Sequence, residues 1–208
     1  MTSDPAVQWA TTALFGALTA YSLWRLVTAR RLLAGTSHLF HLGMNLVMVA
    51  MVWPWWARLP TLPQVAFFAV GAAFFAAAAG WFALDGRRAG HHRSARCQAT
   101  NAVTMLAMVW MLAVMTRHAD GVGAGAARVA AGAGHSAHAA AAVSSDPQTV
   151  VGGAVLVVAL AAGGVLYLLD LVRYRRERGA LGRTGADLLA GGLMSLGMAA
   201  ACGVMLVA

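Results

Sequence analysis

The chain has 208 residues, 60% of them hydrophobic and only 11% charged, with a formal net charge of +8 and a mean hydropathy of +0.69. A soluble globular domain carries about 25% charged residues, so this composition excludes one and indicates an integral membrane protein. The basic balance does not indicate a nucleic-acid partner, because all 15 basic residues are Arg and most are spread over alternate segments between apolar runs.

A helix that crosses roughly 30 Å of hydrocarbon needs about 20 predominantly apolar residues at about 1.5 Å per residue. Six stretches qualify. The first runs from Ala6 to Val27; the MTSDPAVQW around its start has Asp4 and no basic region, which predicts a retained anchor rather than a cleaved signal. The second, His38 to Trp56, places His38, His41 and Met44 three residues apart and then reads MVAMVW at 48–53. The third, Pro63 to Leu84, leads into GHHRSAR, where His91 and His92 read as part of a cationic loop. The fourth, Gln98 to Thr116, repeats the hexamer almost letter for letter as MLAMVW at 105–110.

After the fourth span the composition changes. Residues 117–147 are dominated by Ala and Gly, which predicts a flexible external loop. It carries His118, His135 and His138, and the HxxH spacing of the last two suits an external metal site if the segment turns helical. Ser144, Ser145 and Asp146 before Pro147 form a helix-start signal for the fifth span, Thr149 to Val172. The sixth runs from Ala186 to Val207 and contains MSLGM at 194–198.

None of these runs alternates polar with apolar, and backbone groups in lipid must be satisfied within the segment, so helices are predicted rather than barrel strands. Odd spans end in aromatic and charged tails, YSLWRLVTARR, WFALDGRR and YLLDLVRYRR, each leading into an even span. The predicted fold class is therefore all-α: one polytopic transmembrane domain over 1–208, with six transmembrane helices arranged as three helical hairpin repeats. Arg25, Arg30 and Arg31, then Arg87, Arg88, Arg93 and Arg96, then Arg173, Arg175, Arg176, Arg178 and Arg183 lie on one side, against Arg58, Arg117 and Arg128 on the other. Short positively charged loops stay in the cytoplasm, which puts both termini outside. Asp85 and Asp170 read as structural carboxylates neutralised by neighbouring arginines. Cys97 and Cys202 lie toward opposite ends of their spans, too far apart for a disulfide.

The methionines carry the functional signal. Apart from Met1 there are ten: Met44, Met48 and Met51 in the second span, Met105, Met108, Met111 and Met115 in the fourth, and Met194, Met198 and Met205 in the sixth. No odd span has one. At about 100° per residue, His41, Met44, Met48 and Met51 share an arc of about 80°, and Asn101, Met105, Met108 and Met115 share another. Met194, Met198, Cys202 and Met205 make a third such arc. Met48, Met108 and Met198 each come roughly 15 Å into the membrane, so the duplicated hexamers mark one depth.

Thioethers are soft, neutral donors that select Cu(I) and line a membrane interior without the cost of buried charge. The expected site is His41, Met44, Met48, Met51, Met105, Met108, Met194 and Met198, binding or conducting Cu(I), with His38 and His41 at the cytoplasmic mouth. The implied partners are the lipid bilayer, the copper ion and, among proteins, a copper chaperone or a second copy of the chain. The alternative is a structural or accessory membrane protein in which Met packs helices beside small residues such as Gly191, Gly192 and Ser195. A third reading is haem-associated electron transfer with His and Met as axial ligands, for which the spans offer only His38 and His41. The spans hold no Ser-His-Asp set, phosphate-cradling glycine motif or paired midplane carboxylates, so no enzyme is expected.

Two resemblances follow from these residues. The pairs Met44/Met48, Met111/Met115 and Met194/Met198 resemble the MxxxM motif of trimeric eukaryotic copper transporters, which implies stacked Met rings. The HxxMxxxMxxM second span, Arg-only cytoplasmic loops and Ala-rich composition resemble an actinobacterial multi-pass family of unknown function, which implies a bacterial plasma-membrane location.

Overall fold

The computed structural model describes residues 5–30, 32–53, 55–56, 59–84, 91–130, 147–179 and 182–207. Six helices follow one another: α1 (Pro5–Val27), α2 (Leu32–Met51), α3 (Thr61–Leu84), α4 (His91–Ala130), α5 (Pro147–Arg178) and α6 (Arg183–Val207). Among the described residues there is no strand. Pro5 and Pro147 open their helices at the position where a missing N–H costs nothing. Gly179, at φ 72°, ends α5 in the left-handed region, and its N–H donates to the Arg175 carbonyl at 2.9 Å. Hydroxyls inside the helices donate back to the preceding turn, as Thr12 does to Gln8, Thr19 to Phe15 and Thr104 to Thr100. That satisfies each O–H without water.

Five helices are long and apolar enough to cross a membrane: α2, α3, Ala95–Thr116 of α4, Val150–Arg178 of α5 and Arg183–Val204 of α6. Expected as a sixth span, α1 has the length, at 23 residues, but lies outside this set; Gln8, three threonines, Ser22 and Arg25 dilute it. The chain is a helical membrane protein, and its outward side chains agree: α5 exposes Val151, Val155, Val158, Val165, Leu169 and Val172 along one apolar stripe that lipid can cover. Helix α4 continues through Ala130 into the segment expected to be loop, where frequent Ala, the strongest helix former, favours helix over coil. Residues 131–146 lie outside the described residues.

The chain divides into two compact units, 1–71 and 72–208, with the boundary inside α3. In the first, α1 and α2 pack as an antiparallel hairpin. Gln8 Nε2 donates to the Val52 carbonyl at 3.0 Å and Trp9 meets Trp53 edge-on at 5.5 Å. Nearer the connection, Asn45 Nδ2 donates to Ser22 Oγ at 3.4 Å. The first part of α3 brings Phe67 against Phe40, ring centroids 5.1 Å apart.

In the second unit α5 and α6 form the most closely packed pair, and α4 packs on both. Glycine makes the approach: a Cβ on Gly164 would lie 2.7 Å from Leu196 Cγ, and one on Gly191 would lie 3.1 Å from the Tyr167 ring. The middle hairpin expected of α3 and α4 is not among the closely packed pairs of described residues.

Candidate functional site

The first unit carries one sulfur stripe. Its helix α2 turns Met44, Met48 and Met51 inward, all buried, with Asn45 fully buried beside them. His41, one turn before Met44, is half-buried, as is His38, and both have interaction partners. Asn45 Oδ1 has no hydrogen-bond partner among the described residues.

Two stripes lie in the second unit. On α4, Met105, Met108 and Met111 are 0% exposed; on α6, Met194 and Met198 are 4% and 0% exposed, and Cys202, one turn beyond, is 0% exposed. Met115 is half-buried, and the Met205 side chain lies outside the described residues. Helices α4 and α6 are in direct contact, and their spans are the most buried of the five. On α6, Gly192 and Leu196 meet α5, and so does Gly191, which shares the face of Met198 and Cys202 and lies against the Tyr167 ring.

The sorting of side chains by type is sharp. Large aliphatics are widely exposed, Leu23, Leu39, Leu46, Leu106, Val151 and Val158 among them, yet no described Met is exposed. Leu and Val are at least as apolar as Met, so hydrophobicity alone would not send sulfur inward and branched carbon outward. Among the described residues no group of three or more His, Cys, Asp or Glu is gathered as a harder metal would require. Of the external histidines, His118 lies on the last part of α4 with its side chain outside the described residues, and His135 and His138 lie outside them altogether.

Sequence patterns did not reveal a polar cluster where α4 meets α5. Asp170 is buried, and its Oδ2 lies 3.7 Å from Arg96 Nη2 on α4, whose side chain is 53% exposed. The carboxylate thus has an arginine partner on another helix. The Tyr167 hydroxyl, one turn before Asp170, lies 3.0 Å from Asn101 Oδ1 and 3.2 Å from the Cys97 carbonyl. Its single proton serves both acceptors. Cys97 also packs against Tyr167, Leu171 and Leu188. A partly open cleft beside this cluster is lined by Arg96, Cys97, Thr100, Gly163, Leu166, Tyr167 and Asp170. Polar residues at i and i+3 on α5, and at i, i+1 and i+5 on α4, were the available signal, but their pairing spans helices distant in sequence.

Uncharacterized proteins of Mycobacterium bovis and Mycobacterium tuberculosis are each 33% identical to this chain over 121 residues, a region covering 55% of this chain and 52% of theirs. The chain spans about half the length of these curated relatives. No solved structure matches it. Residues 34–208 match a family description, and that match takes in nearly all of α2 and the whole of α3 to α6 with their three Met stripes. The chain therefore belongs to the family described as a domain of unknown function, DUF5134.

Proposed function

We propose that this membrane protein is a non-enzymatic copper-handling protein whose Met-lined interior binds or conducts Cu(I). The observation that carries the reading is the sorting of sulfur: eight methionines on α2, α4 and α6 are buried, while on the same helices Leu39, Leu46, Leu106, Leu193 and Val204 are exposed. Of the described leucines and valines there, only Leu112, Val114 and Leu188 join the methionines inside. In the second unit, Met105, Met108, Met194 and Met198 supply thioethers from two helices in contact. Two or three such donors satisfy Cu(I), and because they are neutral the site adds no desolvated anion to the membrane interior. The stripe of Met44, Met48 and Met51 with His41 is a second donor set of the same kind in the first unit. The arginine bias further supports a plasma-membrane orientation with both termini outside.

The test is anaerobic Cu(I) loading of the purified full chain followed by competition with a chromophoric Cu(I) chelator. The full chain is expected to retain Cu(I), and Met108→Leu combined with Met198→Leu to lower retention at least tenfold with the helical content unchanged. Equal retention by the variant, or none by the wild type, leaves packing as the role of the methionines. A Soret band on purification would overturn the copper reading in favour of haem.

A further inference from the structure

The α4–α5 cleft and the α4 Met stripe lie on one line. Cys97, Asn101, Met105 and Met108 follow at i, i+4, i+8 and i+11, within an arc of about 80° and over a rise of about 16 Å. Cys97 lines the cleft, while Met105 and Met108 are fully buried. The stripe thus begins at an opening. Gly163 helps keep α4 and α5 close there, since a Cβ on it would lie 2.5 Å from Thr100 Cγ2.

The cleft offers what the Met core lacks, a formal negative charge. Thioethers cannot draw a cation out of water by charge, but a carboxylate can, and Asp170 lines the same cleft. Arg96, one of the groups that Asp170 meets, stands 3.7 Å from it with its side chain half in solvent, farther than the about 2.7–2.9 Å of a well-made charge-assisted contact.

We propose that the cleft is a capture site for a soft monovalent cation, with Cys97 as the sulfur ligand and Asp170 as its counter-charge, feeding the Met105 and Met108 end of the core. The proposal rests on the Cu(I) reading above. In capture, the ion loses a carrier ligand as the Cys97 sulfur–copper bond forms, and the thiol proton leaves to solvent. Copper stays at +1 and no electron moves. Arg96 swings outward as the ion replaces it beside Asp170. The Tyr167 hydroxyl, shared between Asn101 Oδ1 and the Cys97 carbonyl, positions this turn of α4 against α5.

The experiment uses the full chain in lipid nanodiscs, anaerobic Cu(I) as the probe, and cysteine alkylation read residue by residue by mass spectrometry. One equivalent of Cu(I) is expected to slow Cys97 alkylation at least tenfold. Asp170→Asn should abolish most of that protection, and Asp170→Glu should restore it, which separates loss of charge from loss of fold. Alkylation of Cys97 at the same rate with and without copper overturns the capture site; if Met108→Leu with Met198→Leu still lowers retention, the Met-core reading survives that failure. Conversely, protection of Cys97 with retention indifferent to those two methionines supports the cleft as a cation site and removes the core from the account. Full protection in Asp170→Asn overturns the role of the carboxylate.

Discussion

The two tightly packed hairpins solve the same problem by opposite means. In α5–α6 the side chains are removed: Gly164 and Gly191 let backbones approach until a single added Cβ would touch Leu196 or Tyr167. In α1–α2 the gap is bridged, by Asn45 to Ser22, Gln8 to the Val52 carbonyl and the Trp9–Trp53 edge contact. With lipid outside, helices gain little from hydrophobic association, so close packing and interhelical hydrogen bonds are the available sources of cohesion. The first hairpin depends more on polar contacts, the second on fit.

The sharpest way to break this contrast is to overfill the second hairpin. Gly164→Val is expected to force α5 from α6 and cost about 1–3 kcal/mol, read as a lower midpoint of thermal unfolding in detergent; an unchanged midpoint would show that the glycine contact does not hold the pair. The polar hairpin should respond less. Ser22→Ala removes the partner of a fully buried amide whose Oδ1 already lacks one, and interhelical hydrogen bonds of this kind contribute about 0.6 kcal/mol, at most about 1.7. Asn45→Leu should cost less than Ser22→Ala, because it removes both the bond and the orphaned acceptor; the reverse order in a double-mutant cycle would mean that Asn45 has another partner. Smallest is Gly16→Ala on α1, where an added Cβ meets nothing within 4 Å. It should be neutral or up to about 1 kcal/mol stabilising, and a loss of stability comparable to Gly164→Val would erase the distinction.

Much of this was legible in the chain. Long apolar runs and the absence of alternation specify the helices, and 100° spacing places the methionines on one face of α2, α4 and α6, faces the structure buries. That α3 and α4 are not a closely packed pair among the described residues was not legible, because the charged tail that ends α3 looks like those of α1 and α5. The extension of α4 to Ala130 was hidden by a composition that suits helix and coil alike. Asp170 was visible as a carboxylate near the end of a span, but its Arg96 partner depends on how α4 lies against α5, which no local pattern encodes. The sulfur stripes were legible because helix periodicity is local; the polar cleft was not, because it is made by tertiary packing.

If these thioethers hold copper, their surroundings change on loading, and apart from Met1 every methionine of the chain lies on α2, α4 or α6. Selenomethionine replaces each sulfur with an atom whose surroundings can be read directly by selenium X-ray absorption. After anaerobic Cu(I) loading of the full selenomethionine protein, a copper neighbour is expected in the selenium spectrum, absent before loading and diminished by Met108→Leu with Met198→Leu. A selenium environment of carbon alone, in protein that has retained its copper, would contradict it.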